Sequence, residues 1–105
     1  MVANDAASIE ACLSGQAEAF RTLVECYQRE ALAHALAILR HEEDARDAVQ
    51  EAFLDAFRAL KTFDRARPFY PWFYTLLRAR CFKLLAERKR RADALPKTML
   101  LRRRE

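Results

Sequence analysis

The chain has one glycine and three prolines among 105 residues, too few for the tight turns that a sandwich or barrel needs. Long helices are the alternative, and an all-α fold is predicted. The three cysteines, Cys12, Cys26 and Cys81, show no CxxC spacing, so neither a disulfide framework nor a metal site is expected and they read as small apolar residues. No run approaches the ~20 apolar residues of a membrane span. The N-terminus, MVANDAASIEACLSG, lacks a basic stretch followed by an apolar one. A cytoplasmic chain with no membrane partner is expected. The histidines, His34 and His41, are isolated, and no set of nucleophile, base and orienting residue is recognisable. Catalysis and a cofactor are therefore not expected.

What the sequence does contain is unevenly placed. Residues 1–64 carry six Lys/Arg against twelve Asp/Glu, whereas residues 65–105 carry thirteen against three. The formal net charge of +4 conceals a bipolar molecule: the basic half suits a polyanion such as nucleic acid, and the acidic half suits a basic partner. Uneven charge on a solvated helical surface is the plainer explanation of the same counts. The length fits one domain, placed at residues 1–92, with residues 93–105 as a basic tail or the start of a linker.

The apolar spacing predicts a compact bundle of three main helices plus a short N-terminal helix. The short helix spans about Asp5 to Leu13, and Ser14-Gly15 breaks it. A second begins near Gln16, with Phe20, Leu23, Val24, Tyr27, Ala31, Ala35 and Ile38 along one side. A third follows HEED at residues 41–44, acidic where the positive end of the helix dipole lies, and runs to about Lys61. Its core side is Ala45, Val49, Ala52, Phe53, Ala56 and Leu60. At 100° per residue, Asp47, Glu51, Leu54 and Arg58 fall opposite, flanked by Gln50 and Asp55. An apolar residue ringed by charge has the look of an interface anchor. Residues 62–71 read as a loop, and Pro71 fits the first turn of a fourth helix running to about Ala92. Phe73, Leu77, Cys81 and Leu84 face its core side, and RKRR at 88–91 forms its basic end.

The end of that loop and the start of the fourth helix hold Phe69, Tyr70, Trp72, Phe73 and Tyr74, five rings in six positions. Rings stack on unpaired bases for roughly 1–3 kcal/mol each, while Arg and Lys hold the phosphates. The combination points to single-stranded or opened nucleic acid. The plainer alternative is that Phe69, Trp72 and Phe73 plug the end of the bundle, since aromatics supply much of a small domain's burial.

The run DARDAVQEAFLDAFRALKTFD at 44–64, followed by FYPWFYTLLRARCFKLLAERKRR at 69–91, resembles region two of extracytoplasmic-function sigma factors, the bacterial initiation subunits of RNA polymerase. AEAFRTLVECYQ at 17–28 is similar to the family's opening segment. The resemblance implies that the third helix docks on the clamp helices of the polymerase beta-prime subunit through Asp47, Gln50, Glu51, Leu54 and Arg58. It also implies that the following loop and helix hold the non-template strand of the minus-ten promoter element and trap a flipped base. Phe63, Phe69, Tyr70, Trp72, Tyr74, Arg78, Lys83, Arg88, Lys89, Arg90 and Arg91 would then contact DNA. Two positions depart from the family pattern: Ala79 stands where many members have Asn, and Lys83 where Asp is frequent. The chain ends before any counterpart of region four. An anti-sigma factor is a further expected partner. The competing readings are a sigma-like decoy that binds an anti-sigma factor without melting DNA, and a general polyanion binder.

Overall fold

The computed structural model describes residues 5–94 and contains four α-helices: α1 (Asp5–Leu13), α2 (Phe20–Leu39), α3 (Glu42–Arg58) and α4 (Phe69–Ala94). Short 3-10 turns, Ala17–Ala19 and Leu60–Thr62, lie before α2 and after α3. They shorten the expected second and third helices by about a turn each. The fourth helix begins two residues earlier than expected, with Pro71 at its third position; the first four N–H groups of a helix have no partner within it, so proline is tolerated there. Its far end extends past the expected Ala92 to Ala94, and the rest of the expected tail lies outside the described residues.

The helix ends have local causes. Gly15, the chain's single glycine, has φ 105°, a left-handed conformation that a side chain would strain. It sits where α1 stops and the Gln16 N–H turns back to the Ala11 carbonyl at 3.0 Å. Arg40 takes φ 55° at the end of α2, and its N–H donates to the Leu36 carbonyl at 2.8 Å. His41 then caps α3, its Nδ1 accepting from the Asp44 N–H at 3.3 Å. Glu42, Glu43 and Asp44 fill the first turn of α3, where the dipole favours negative charge. A two-residue connection forces α2 and α3 to run antiparallel as neighbours.

One core joins all four helices. Ile9 of α1, Leu23, Tyr27 and Leu39 of α2, Val49 and Phe53 of α3, and Phe69, Phe73 and Leu77 of α4 are buried in it. Ala31 and Ala35 of α2 and Ala45, Ala52 and Ala56 of α3 are fully buried; their small side chains let the helices approach closely. The expected core side of the third helix is buried throughout. On the fourth, Phe73, Leu77 and Cys81 are buried and Leu84 is half-buried. The α1 helix is tied down by a hydrogen bond from the Tyr27 hydroxyl to the buried Asp5 carboxylate. Burial first, and then that bond, push the Tyr27 phenol pKa upward, so it stays a donor.

Candidate polymerase and nucleic-acid interfaces

Two surfaces come from α3 and α4. Since Ala45, Val49, Ala52 and Ala56 turn inward, helical geometry sends Asp47, Gln50, Glu51, Leu54 and Arg58 outward, and all five are exposed. Leu54 is 42% exposed and Phe57, one turn further, 40%. Beside them a groove of about 800 Å³ runs between α2 and α3, floored by Val24, Leu32, Val49 and Phe53 and edged by Arg21 and Arg29. Phe57 and the groove were not anticipated. Phe57 lies three residues after Leu54, a spacing that marks it as the same patch; the groove needs α2 in place and has no sequence signal.

The expected α3 surface differs at one point. Asp55 is half-buried, and Arg80 of α4 donates to both its oxygens, from Nε at 2.6 Å and from a terminal nitrogen at 2.9 Å. Glu51 stands 3.7 Å from the same guanidinium. The Arg80 hydrogen bond holds the Asp55 carboxyl below the usual range and raises Arg80's own pKa. Farther along, Arg88 of α4 pairs with Asp44 and reaches the Leu39 carbonyl at 3.3 Å, again lowering the carboxyl pKa. These cations close the seam between α3 and α4, so Arg88, expected among the DNA contacts, is already engaged by a carboxylate.

The aromatic segment divides rather than forming one exposed cluster. Phe69 is 2% and Phe63 7% exposed, so neither of these two expected base contacts offers a free face here: their faces touch other rings. Phe69 lies 6.0 Å from Phe73 and 5.9 Å from Phe63, and Phe73 stacks on Phe53 at 4.3 Å. For Phe69 and Phe73 the plug reading holds. Three rings remain half-buried: Tyr70, Trp72 and Tyr74. Trp72 is about 200° around the helix from both tyrosines, and its neighbours differ accordingly. It packs on Phe63 at 4.8 Å, whereas Tyr70 and Tyr74 lie against His34 of α2 at 5.7 and 5.0 Å.

The remaining cations also separate. Arg78 is exposed and its guanidinium sits 4.9 Å over the Phe82 ring, itself 46% exposed. Lys83 lines a small cleft with Asp47, Glu51, Arg80 and Glu87, which places it beside carboxylates of the outward α3 stripe. Lys89 is 3.9 Å from Asp93, and Arg90 and Arg91 are exposed at the end of α4. Among the described residues no group of three or more His, Cys, Asp or Glu is arranged to hold a metal ion. No described helix is long and apolar enough to cross a membrane.

The described residues thus form a helical body with an acidic and apolar stripe exposed on one helix and rings with cations on the next. The family model of Sigma-70 region 2 matches residues 23–91, and the chain belongs to that family. It is similar to the RNA polymerase sigma-H factor of Pseudomonas aeruginosa, with 35% identity over 68 residues, 65% of this chain and 35% of the relative. It is also similar to the ECF RNA polymerase sigma-E factor of Escherichia coli K12, with 36% identity over 72 residues, 69% of this chain and 37% of the relative. The chain thus spans little more than a third of those proteins. Among solved structures, the NMR structure of an engineered region 2 of sigmaE in complex with GTAAAA matches with a TM-score of 0.78 and 33% identity. The match covers 83% of this chain and 90% of that one.

Proposed function

We propose that this domain docks on the clamp helices of the RNA polymerase beta-prime subunit through α3 and helps open the minus-ten promoter element through α4. The observation that carries the proposal is the outward stripe on α3: Leu54 is 42% exposed among Asp47, Gln50, Glu51 and Arg58, although every residue on the other side of that helix is in the core. An exposed apolar side chain within a charged ring suits a partner that covers it, excluding water from the anchor while the charges set register. The likeness to a region 2 solved with GTAAAA supports a nucleic-acid role for α4. Trp72 and Tyr74 would stack on unpaired bases, and Arg78, Lys89, Arg90 and Arg91 would hold the backbone. Lys83, beside the carboxylates of the docking stripe, fits a role at the seam between the two partners.

Such a domain works by binding alone. Unstacking a base costs a few kcal/mol, and capture of the extruded base together with phosphate contacts offsets that cost. The test is affinity for core RNA polymerase and for the isolated clamp-helix fragment. Asp47→Arg and Leu54→Ala should each weaken binding about tenfold or more with unchanged circular dichroism and Tm. Retained affinity in both variants would reject the docking role. A chain that binds polymerase or an anti-sigma factor but treats minus-ten and scrambled single strands alike would instead be the decoy.

A further inference from the structure

His34 stands alone in the sequence, but in the fold it faces the functional end of α4. Its Nδ1 lies 2.8 Å from the Tyr70 hydroxyl, and its ring meets that of Tyr74 edge-on, with centroids 5.0 Å apart at 67°. All three rings are half-buried. Tyr70 and Tyr74 are themselves 6.3 Å apart, so a single α2 side chain touches both rings on this flank of α4. The inner side of Tyr70 rests on Tyr27 at 5.2 Å and Phe73 at 5.6 Å. Its hydroxyl would otherwise be free to turn, and His34 supplies its partner.

Burial first, and then the charge of Glu30 on α2, push the Tyr70 phenol pKa up. The phenol therefore stays protonated and can keep its bond to the imidazole. A ring that is already held pays less ordering entropy when a base stacks on it.

We propose that His34 is a positioning residue for base capture, fixing Tyr70 by its hydroxyl and Tyr74 by its edge so that this flank of α4 is set before a nucleotide arrives. The inference rests on the reading of α4 as a single-strand binder, and its assay is separate from the polymerase assay above. Three variants of the full chain separate the effects. His34→Phe keeps a ring and loses the hydrogen bond. His34→Gln keeps a polar partner and loses the ring. His34→Ala loses both.

Binding is read by fluorescence anisotropy against a panel of labelled single-stranded hexanucleotides that includes GTAAAA, alongside thermal melting and the ring NMR signals of Tyr70 and Tyr74. His34→Phe should lose about three- to tenfold in affinity for the preferred hexanucleotide, the span of one net hydrogen bond. Weakly bound members of the panel should change little, and the Tyr70 signals should shift. His34→Gln should recover part of the loss, and His34→Ala should lose most. Equal loss across the whole panel, tracking a lower Tm, would make His34 merely structural and overturn the proposal. Unchanged selectivity and unchanged Tyr70 signals in His34→Phe would overturn it too, leaving α4 as a strand binder. A folded wild-type chain that binds no hexanucleotide would overturn the reading of α4 and this inference with it.

Discussion

Helices α3 and α4 pack on each other, yet they use their side chains in opposite ways. The α3 helix separates its tasks by face: alanines, Val49 and Phe53 go to the core, and Asp47, Gln50, Glu51, Leu54 and Arg58 go to solvent. The α4 helix mixes them. Phe69 and Phe73 are core, Trp72 and Tyr74 are shared between core and surface, and Arg80 and Arg88 are engaged with α3 carboxylates. The proposed docking role of α3 therefore rests mostly on residues outside the core, whereas the proposed nucleic-acid role of α4 is coupled to stability. A binding defect in an α4 variant needs a folding control before it can be assigned to DNA.

The difference can be broken most sharply at Phe73, fully buried and stacked on Phe53. Phe73→Ala should cost about 3–5 kcal/mol, a large share of what a small domain has, and urea denaturation will read it as a much lower midpoint. Next is Arg80→Ala, which leaves the half-buried Asp55 without its bidentate partner. A loss of about 1–2 kcal/mol is expected from removing one charge-assisted pair near the surface.

The same pair gives a pH dependence. The folded Asp55 pKa lies below its unfolded value because of Arg80, so its contribution is fully present above the ordinary Asp range. It is lost as pH falls through that range and down to the depressed folded value. Stability measured from neutral to acid pH should decline, and Asp55→Asn should flatten part of the slope. No flattening would mean that the pair is idle. Leu54→Ala, by contrast, should leave stability within about 0.5 kcal/mol of wild type, as for an exposed site, even where it weakens the proposed docking. Smallest in effect are Arg90→Ala and Arg91→Ala. Each should leave Tm unchanged and reduce the salt slope of single-strand binding by about 0.7; an unchanged slope would remove that residue from the phosphate contacts.

Much of this architecture is legible from local rules. A single glycine marks the end of α1, HEED marks the start of α3, and the 3.6-residue spacing of apolar residues sorts the core from the outward stripe. Those features depend on neighbours a turn or less away. The helix starts were less legible: Pro71 reads as a first-turn residue, whereas α4 begins at Phe69 because that ring is needed in the core against Tyr27 and Phe63.

By itself, the sequence determined an all-helical chain, the face of α3 left outside and the concentration of rings and positive charge in α4, because periodicity and composition act along the chain. Only the tertiary structure decided which of those rings and charges remain available. Phe63 and Phe69 are covered, Arg80 and Arg88 are held by Asp55 and Asp44, and His34 meets Tyr70 and Tyr74 from 36 residues away in the chain or more. Burial and pairing depend on what another helix brings to the same place, and no spacing within one helix encodes that.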